Sequence, residues 1–142
     1  MAETSLPTQI QLEVVTPDHQ VVHEAVDAVT LPGKRGYLGI LPGHAPLLSE
    51  VKPGEIVYAR GETKHYLAVS WGFAEVLPDR VIVLAKTAER AEEIDLARAA
   101  QALERAEERL KKVTDPNIDR QRAQEAYEKA MARLAAARHM GA

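Results

Sequence analysis

Glycine and proline nearly vanish part-way along this chain. All eight prolines except Pro116, and all eight glycines except Gly141, precede Ala85. Both residues mark turns and are poorly tolerated inside helices. The first part must therefore be built from short, often interrupted elements and the second from long ones. The change runs through Ala85–Glu93, and we place the boundary at about Thr87, giving a region 1–87 and a region 88–142.

Within 1–87 the apolar residues alternate. Ile10, Leu12 and Val14 are interleaved with Gln11 and Glu13, a half-buried strand closed by Thr16-Pro17-Asp18-His19. Ile56–Arg60 and Lys64–Val69 flank Gly61-Glu62, while Phe73–Leu77 and Arg80–Leu84 flank Pro78-Asp79, so each pair predicts a hairpin. Turn signals recur about every 8–12 residues, the rhythm of an antiparallel β-sandwich or barrel. Helical crossovers of about a dozen residues, which successive parallel strands require, are missing, so a parallel sheet is not expected.

Beyond Thr87 the period becomes helical. Leu96, Leu103 and Leu110 recur by sevens, with Ala99, Ala106 and Val113 as a companion row. Downstream, Ala123, Tyr127, Ala130, Leu134 and Ala137 form a second stripe. Thr114-Asp115-Pro116-Asn117 interrupts the two, with Asp115 suited to cap a helix and Pro116 to its first position. The pattern predicts an antiparallel two-helix hairpin. Its seam is mostly alanine, which offers little of the apolar area that drives packing at roughly 25 cal/mol per Å². Such a hairpin is marginal alone and can open when another surface competes for it.

Composition narrows the functional classes. Apolar residues reach 46%, enough for a real core, whereas aromatics are only 4%, so Val, Ile, Leu and Ala must build it. The net charge of -3 argues against nucleic acid as a partner and against anionic lipid. With no cysteine, disulfides, thiolate metal sites and cysteine nucleophiles are excluded. The polar start Met1–Gln9 lacks the features of a signal peptide, and no apolar run approaches the ~20 residues of a membrane span, so direct membrane insertion is not expected.

Catalytic constellations are missing too. Gly33-Lys-Arg-Gly-Tyr-Leu-Gly39 lacks the Lys-Ser/Thr ending of a phosphate loop, and its glycines suit tight turns with positive φ. His19, His23, His44, His65 and His139 show no metal-ligand spacing. Ser49 and Ser70 lack the glycines of a nucleophile elbow. Trp71 suits a core or interface position.

One segment is far more specific. Gly36-Tyr-Leu-Gly-Ile-Leu-Pro-Gly-His-Ala-Pro-Leu-Leu48 resembles the signature of the epsilon subunit of F-type rotary ATP synthases. Lys52-Pro-Gly-Glu55, Val69–Val76, Asp79–Ala85 and Thr87–Asp95 agree with that family in order and spacing, so the resemblance runs from Ile10 to Leu134. It implies an α+β fold, a β-sandwich of about ten strands followed by the helical hairpin. It also implies a non-catalytic subunit that couples proton flow to ATP synthesis and restrains ATP hydrolysis through its C-terminal helices. The implied setting is the cytoplasmic side of a bacterial cell membrane, reached peripherally. The implied partners are the gamma subunit and membrane c-subunit ring, through a surface including Tyr37, Leu38 and His44. The extended hairpin would reach the catalytic alpha and beta subunits, with Arg120, Arg122 and Arg133 meeting an acidic lever on beta. Many relatives carry an acidic residue where this chain has Tyr37, which removes a charge from the ring contact.

The resemblance extends to a ligand. No cofactor is required, but Ile94-Asp-Leu-Ala-Arg-Ala99 looks like the motif by which some bacterial relatives bind regulatory ATP without hydrolysing it. Asp95 and Arg98 share a helix face, where a carboxylate can accept from the adenine amino group and a guanidinium can hold phosphate. By position Glu89, Ile94, Ala99, Arg105 and Arg133 match the remaining contacts, with Lys129 in place of arginine. The plain alternative for Asp95 and Arg98 is a surface ion pair. Two further readings compete for the whole chain: a free-standing binding module with a coiled-coil tail, and a small β-barrel enzyme.

Overall fold

The computed structural model describes residues 6–112 and 114–140. Val113, expected in the alanine row, lies outside the described residues, as do Met1–Ser5, Gly141 and Ala142. Ten strands come first: β1 Ile10–Val15, β2 Gln20–Val26, β3 Ala28–Gly33, β4 Gly36–Ile40, β5 Leu47–Val51, β6 Gly54–Arg60, β7 Thr63–Val69, β8 Gly72–Leu77, β9 Arg80–Ala85 and β10 Ala88–Arg90. A short 3-10 turn at Ala91–Glu93 leads into helices α1, Leu96–Lys111, and α2, Arg120–Arg138.

The strands hydrogen-bond in the order β10-β7-β6-β3-β5-β8-β9-β1-β2, with β4 paired to β3. β3 and β5 meet only at Gly33 and Val51. That narrow junction lets the ladder fold over, bringing the β6–β7 half face to face with the β8–β9–β1 half. The inward residues alternate as the period of two requires: Ile10, Leu12 and Val14 from β1, Ile56 and Tyr58 from β6, Val81 and Val83 from β9, all almost inaccessible.

Both expected hairpins form, β6–β7 around Gly61-Glu62 and β8–β9 around Pro78-Asp79. At Gly72 a Cβ would lie 1.9 Å from the Leu84 carbonyl oxygen, so this pairing needs glycine. Three details depart from the expected pattern. β1 pairs in parallel with β9: the crossover rule constrains neighbouring strands, and here the whole sandwich is the connection. Of the glycines in Gly33–Gly39 only Gly36 takes positive φ, +132°; Gly33 and Gly39 lie within β3 and β4. Beyond Thr87, β10 still pairs with β7, and Arg90 ties it down by donating to the Tyr58 hydroxyl at 3.1 Å and the Val21 carbonyl at 3.0 Å. Burial pushes the Tyr58 hydroxyl above its ordinary pKa, and the Arg90 guanidinium opposes the shift.

The helices differ from expectation at their ends. Asp119, not Asp115, caps α2, accepting from the Arg122 N–H at 3.1 Å. Asp115 instead closes a local turn by accepting from the Asn117 N–H, so Pro116 sits in the connector rather than at the first helical position. Leu96 is about half exposed, because it lies in the first turn, at the edge of the helix pair.

α2 lies between α1 and the sheet. Ala123, Ala130, Leu134 and Ala137 form one buried stripe, matching Ala99 and Ala106, the buried residues of α1. On the opposite side, Ala132 and Ala136 pack with Ala68 and Ala91, joined by the half-buried Tyr66 and Ile94. Ala68 points outward between the core residues Leu67 and Val69, so this cluster lies on the outer surface of the sandwich, separate from its core.

Candidate functional site

The chemistry of this chain lies on surfaces. Among the described residues no group of three or more His, Cys, Asp or Glu could hold a metal. The first surface is the seat of α2 on β6, β7 and β10. Its alanine contact is flanked by two ion pairs. Arg133 Nε lies 2.8 Å from Glu89 Oε1 on β10, and His139 Nε2 lies 2.9 Å from Glu55 Oε1 on β6. Both join residues far apart in sequence.

The residues proposed to meet ATP fall around this seat. Glu89 and Arg133 are together. Asp95 caps α1, accepting from the Arg98 backbone N–H at 3.1 Å, while the Arg98 side chain is exposed. The Asp95–Arg98 relation is thus a helix cap rather than an ion pair. Ile94 packs under the alanine cluster, and Ala99 is fully buried. Lys129 lines a different cavity of about 180 Å³ with Ser70, Trp71, Lys86, Thr87 and Arg122. Arg98 and Arg105 stand exposed on α1 and are not part of that lining.

The basic residues of α2 divide between two flanks. Arg122, Lys129 and Arg133, spaced by seven and four, share one side. Arg133 is held by Glu89. Arg120, on the other flank, donates to the Leu110 carbonyl at 3.3 Å, closing the C-terminal end of α1. Of the three arginines proposed for an inhibitory contact, only Arg122 shows no side-chain bond among the described residues.

Tyr37 and His44 sit beyond opposite ends of the run Leu38–Ile40 on β4. The Tyr37 hydroxyl accepts from the Glu55 N–H at 3.2 Å, and its ring lines a cavity of about 340 Å³ with Pro53, Tyr127 and Met131. It therefore turns toward α2. Leu38 packs against the sandwich core. His44 is half-buried in the loop after β4, which the Gly43 N–H ties to the Pro78 carbonyl at 2.7 Å. On the other broad face, Leu48, Phe73 and Leu84 project outward from β5, β8 and β9 and are more than half exposed. Phe73 stands opposite Leu84 in register, so they form one apolar patch that sequence alternation alone had left unremarked.

Comparison with known proteins decides the family. The beta-sandwich domain of the ATP synthase delta/epsilon chain matches residues 9–91, and its long alpha-helix domain matches residues 92–138. The chain belongs to the ATP synthase delta/epsilon family. The ATP synthase epsilon chain of Koribacter versatilis is 62% identical over 101 residues, 70% of each chain. Epsilon chain 2 of Syntrophotalea carbinolica is 48% identical over 126 residues, 89% of this chain and 91% of its own. Among solved structures, a chain of the Euglena gracilis mitochondrial ATP synthase, resolved with OSCP, F1 and the c-ring, superposes with a TM-score of 0.82. It is 30% identical and covers 97% of this chain and 86% of that one.

Family membership makes this chain a non-catalytic part of a rotary ATP synthase, structural and regulatory in role. The two family domains meet between Ala91 and Glu92, inside the 3-10 turn that follows β10. No helix among the described residues is long and apolar enough to cross a membrane.

Proposed function

We propose that the sandwich is the fixed part of this subunit and the helical hairpin its moving part, a brake on ATP hydrolysis that leaves the sandwich to engage the catalytic alpha and beta subunits. One observation carries this reading: α2 is seated by alanines and two ion pairs, outside the core that stabilises the sandwich. The hairpin can therefore detach at small cost while the sandwich stays folded. Release would free Arg133 from Glu89 and place it beside Arg122 on one basic flank, a surface suited to an acidic partner. The Leu48–Phe73–Leu84 patch suits the gamma subunit, and the loop that carries His44 suits the polar end of the c-ring. We take that arrangement to lie on the cytoplasmic side of a bacterial cell membrane.

The test is an assembled enzyme whose epsilon-type subunit ends after Glu93, which keeps β10 and the Arg90 anchor. ATP hydrolysis is expected to rise severalfold while coupled synthesis persists. Unchanged hydrolysis in a fully assembled complex leaves the hairpin without a braking role.

A second reading concerns ATP. Asp95, Arg98, Glu89, Arg133 and Lys129 surround the joint between the sandwich and the helices, so a nucleotide bound there would clip the hairpin in its docked form by mass action. Phosphate would have to displace Glu89 from Arg133. Titrating ATP into the isolated chain should give saturable heat and a higher Tm, lost in Arg98→Ala and strengthened in Lys129→Arg. No heat at millimolar ATP would leave these residues to capping and ion pairing.

A further inference from the structure

α2 ends on a histidine that reaches across to the sandwich. His139 lies seven residues beyond Ala132 and three beyond Ala136, so it falls on the helix face that covers β6 and β7. Its ring stacks on Tyr66, with centroids 3.7 Å apart and planes 9° from parallel. Its Nε2 lies 2.9 Å from Glu55 Oε1. That carboxylate oxygen is buried, and among the described residues no conventional hydrogen-bond donor satisfies it. The contact with His139 is an ion pair only when that ring is protonated, and a buried carboxylate oxygen left without a partner is costly.

We propose that Glu55, Tyr66 and His139 form a pH-sensitive latch, which holds the hairpin on the sandwich while His139 is protonated and loosens as the pH rises. Two features favour the imidazolium only when α2 is docked: the Glu55 carboxylate, and the Tyr66 ring face against which a cation can lie. The C-terminal end of α2 favours it whenever that helix is formed.

The charged and titratable groups around the latch come from every neighbouring element. β6 supplies Glu55, and β7 supplies Tyr66 with Lys64 two residues earlier on the same face. From β4, Tyr37 accepts from the Glu55 N–H. On β10, Glu89 is occupied by Arg133. Arg138 adjoins His139 in sequence, and the 3-10 turn packed on α2 and β7 carries Glu92 and Glu93. Lys52 and Glu128 line the cavity that Glu55 borders. The antiparallel helices bring Asp95, the cap of α1, and Arg98 in its first turn alongside the end of α2. Histidine is the one side-chain type in this set whose charge ordinarily changes between about pH 5 and 8. The sign follows from the geometry: docking sets the Glu55 carboxylate against the imidazole, a contact that attracts only the charged ring, so docking is favoured at lower pH.

The latch rests on the reading that the hairpin can leave the sandwich, and not on what the freed hairpin then does. The chain contains no cysteine. Cysteines replacing Glu62 in the β6–β7 turn and Gln101 on α1, both exposed, can therefore carry a donor–acceptor dye pair on the full-length chain. Between about pH 6 and pH 8.5 the ratio of docked to undocked chains should fall roughly fivefold, the scale of one partly exposed ion pair. Trp71, which lines two of the cavities beneath α2, should change its emission over the same range. His139→Gln and Glu55→Gln should each abolish the pH step, while Lys64→Gln should keep it. A flat profile in the unsubstituted chain, or a step that survives His139→Gln, overturns the latch. The step supports it whether or not truncation after Glu93 raises hydrolysis, so the two readings fail separately.

Discussion

The sandwich and the hairpin bury very different side chains. The sandwich core is mainly Leu, Ile and Val, with one tyrosine and three alanines; each of the larger aliphatic side chains is worth about 1.5–3 kcal/mol when fully buried. Among the described residues, buried positions in the two helices are alanines except for Leu134, and each alanine methyl is worth about 0.8 kcal/mol. A continuous ladder joins the strands, but α2 meets them through one small cluster and two ion pairs. The comparison teaches that one short chain can carry two levels of stability. On the proposed reading, the sandwich persists while the helices change place, as a rotor part with a movable arm requires.

The largest expected effect is in the sandwich. Leu12→Ala should cost roughly 2–5 kcal/mol in denaturant unfolding of the strands. A cost below that range would break the comparison, because it would make the sandwich no firmer than the hairpin. Next comes overpacking of the seat. Ala136→Leu should weaken docking by roughly 1–3 kcal/mol, read as faster proteolysis of α1 and α2, with the sandwich transition unmoved.

At the helix ends, Asp119→Ala should cost about 1 kcal/mol of α2 stability by loss of its cap, seen in helical circular dichroism. Asp115→Ala should cost less, since Asp115 closes only a turn. Asp115 and Asp119 carry the same side chain, so local propensity alone does not choose between them. The choice depends on where α1 ends and where α2 must start to meet it.

The same division runs through the fold as a whole. Hairpins at Gly61-Glu62 and Pro78-Asp79 were legible because turn chemistry is local. The parallel β1–β9 pairing was not, since its partners are joined only by the closure of the whole sandwich. The alanine seam between the helices was legible from its period. The second face of α2, Ala132 and Ala136, was not, because alanine is equally at home buried or exposed. Among the candidate site residues, the motif Ile94–Ala99 could be read directly, but the pairing of Arg133 with Glu89 and of His139 with Glu55 needs the docked geometry. Tyr37 shows the limit of a motif match: its place in the signature is clear, but its bond to the Glu55 N–H depends on the neighbouring strand.

Smaller effects sharpen the picture. Glu89→Gln should weaken docking by roughly 0.2–1 kcal/mol, the discount for a partly exposed ion pair, measurable as faster amide exchange in α2. The acid limb of sandwich stability should show Asp27. The Gly61 N–H, then Gln9, hold its carboxyl below the ordinary range. A carboxyl whose folded pKa is depressed contributes stability that is present above its unfolded pKa and lost as the pH falls through the folded value. Asp27→Asn should therefore flatten the acid side of the stability profile slightly, with neutral and alkaline behaviour unchanged.

Native-state hydrogen exchange on the full-length chain tests the central claim most directly. The account predicts that amides of α1 and α2 exchange together through an opening that leaves those of β1, β6, β8 and β9 protected, at a clearly lower free energy than global unfolding. Equal protection of helices and strands, lost in a single step, would contradict it and make the hairpin an inseparable part of the sandwich.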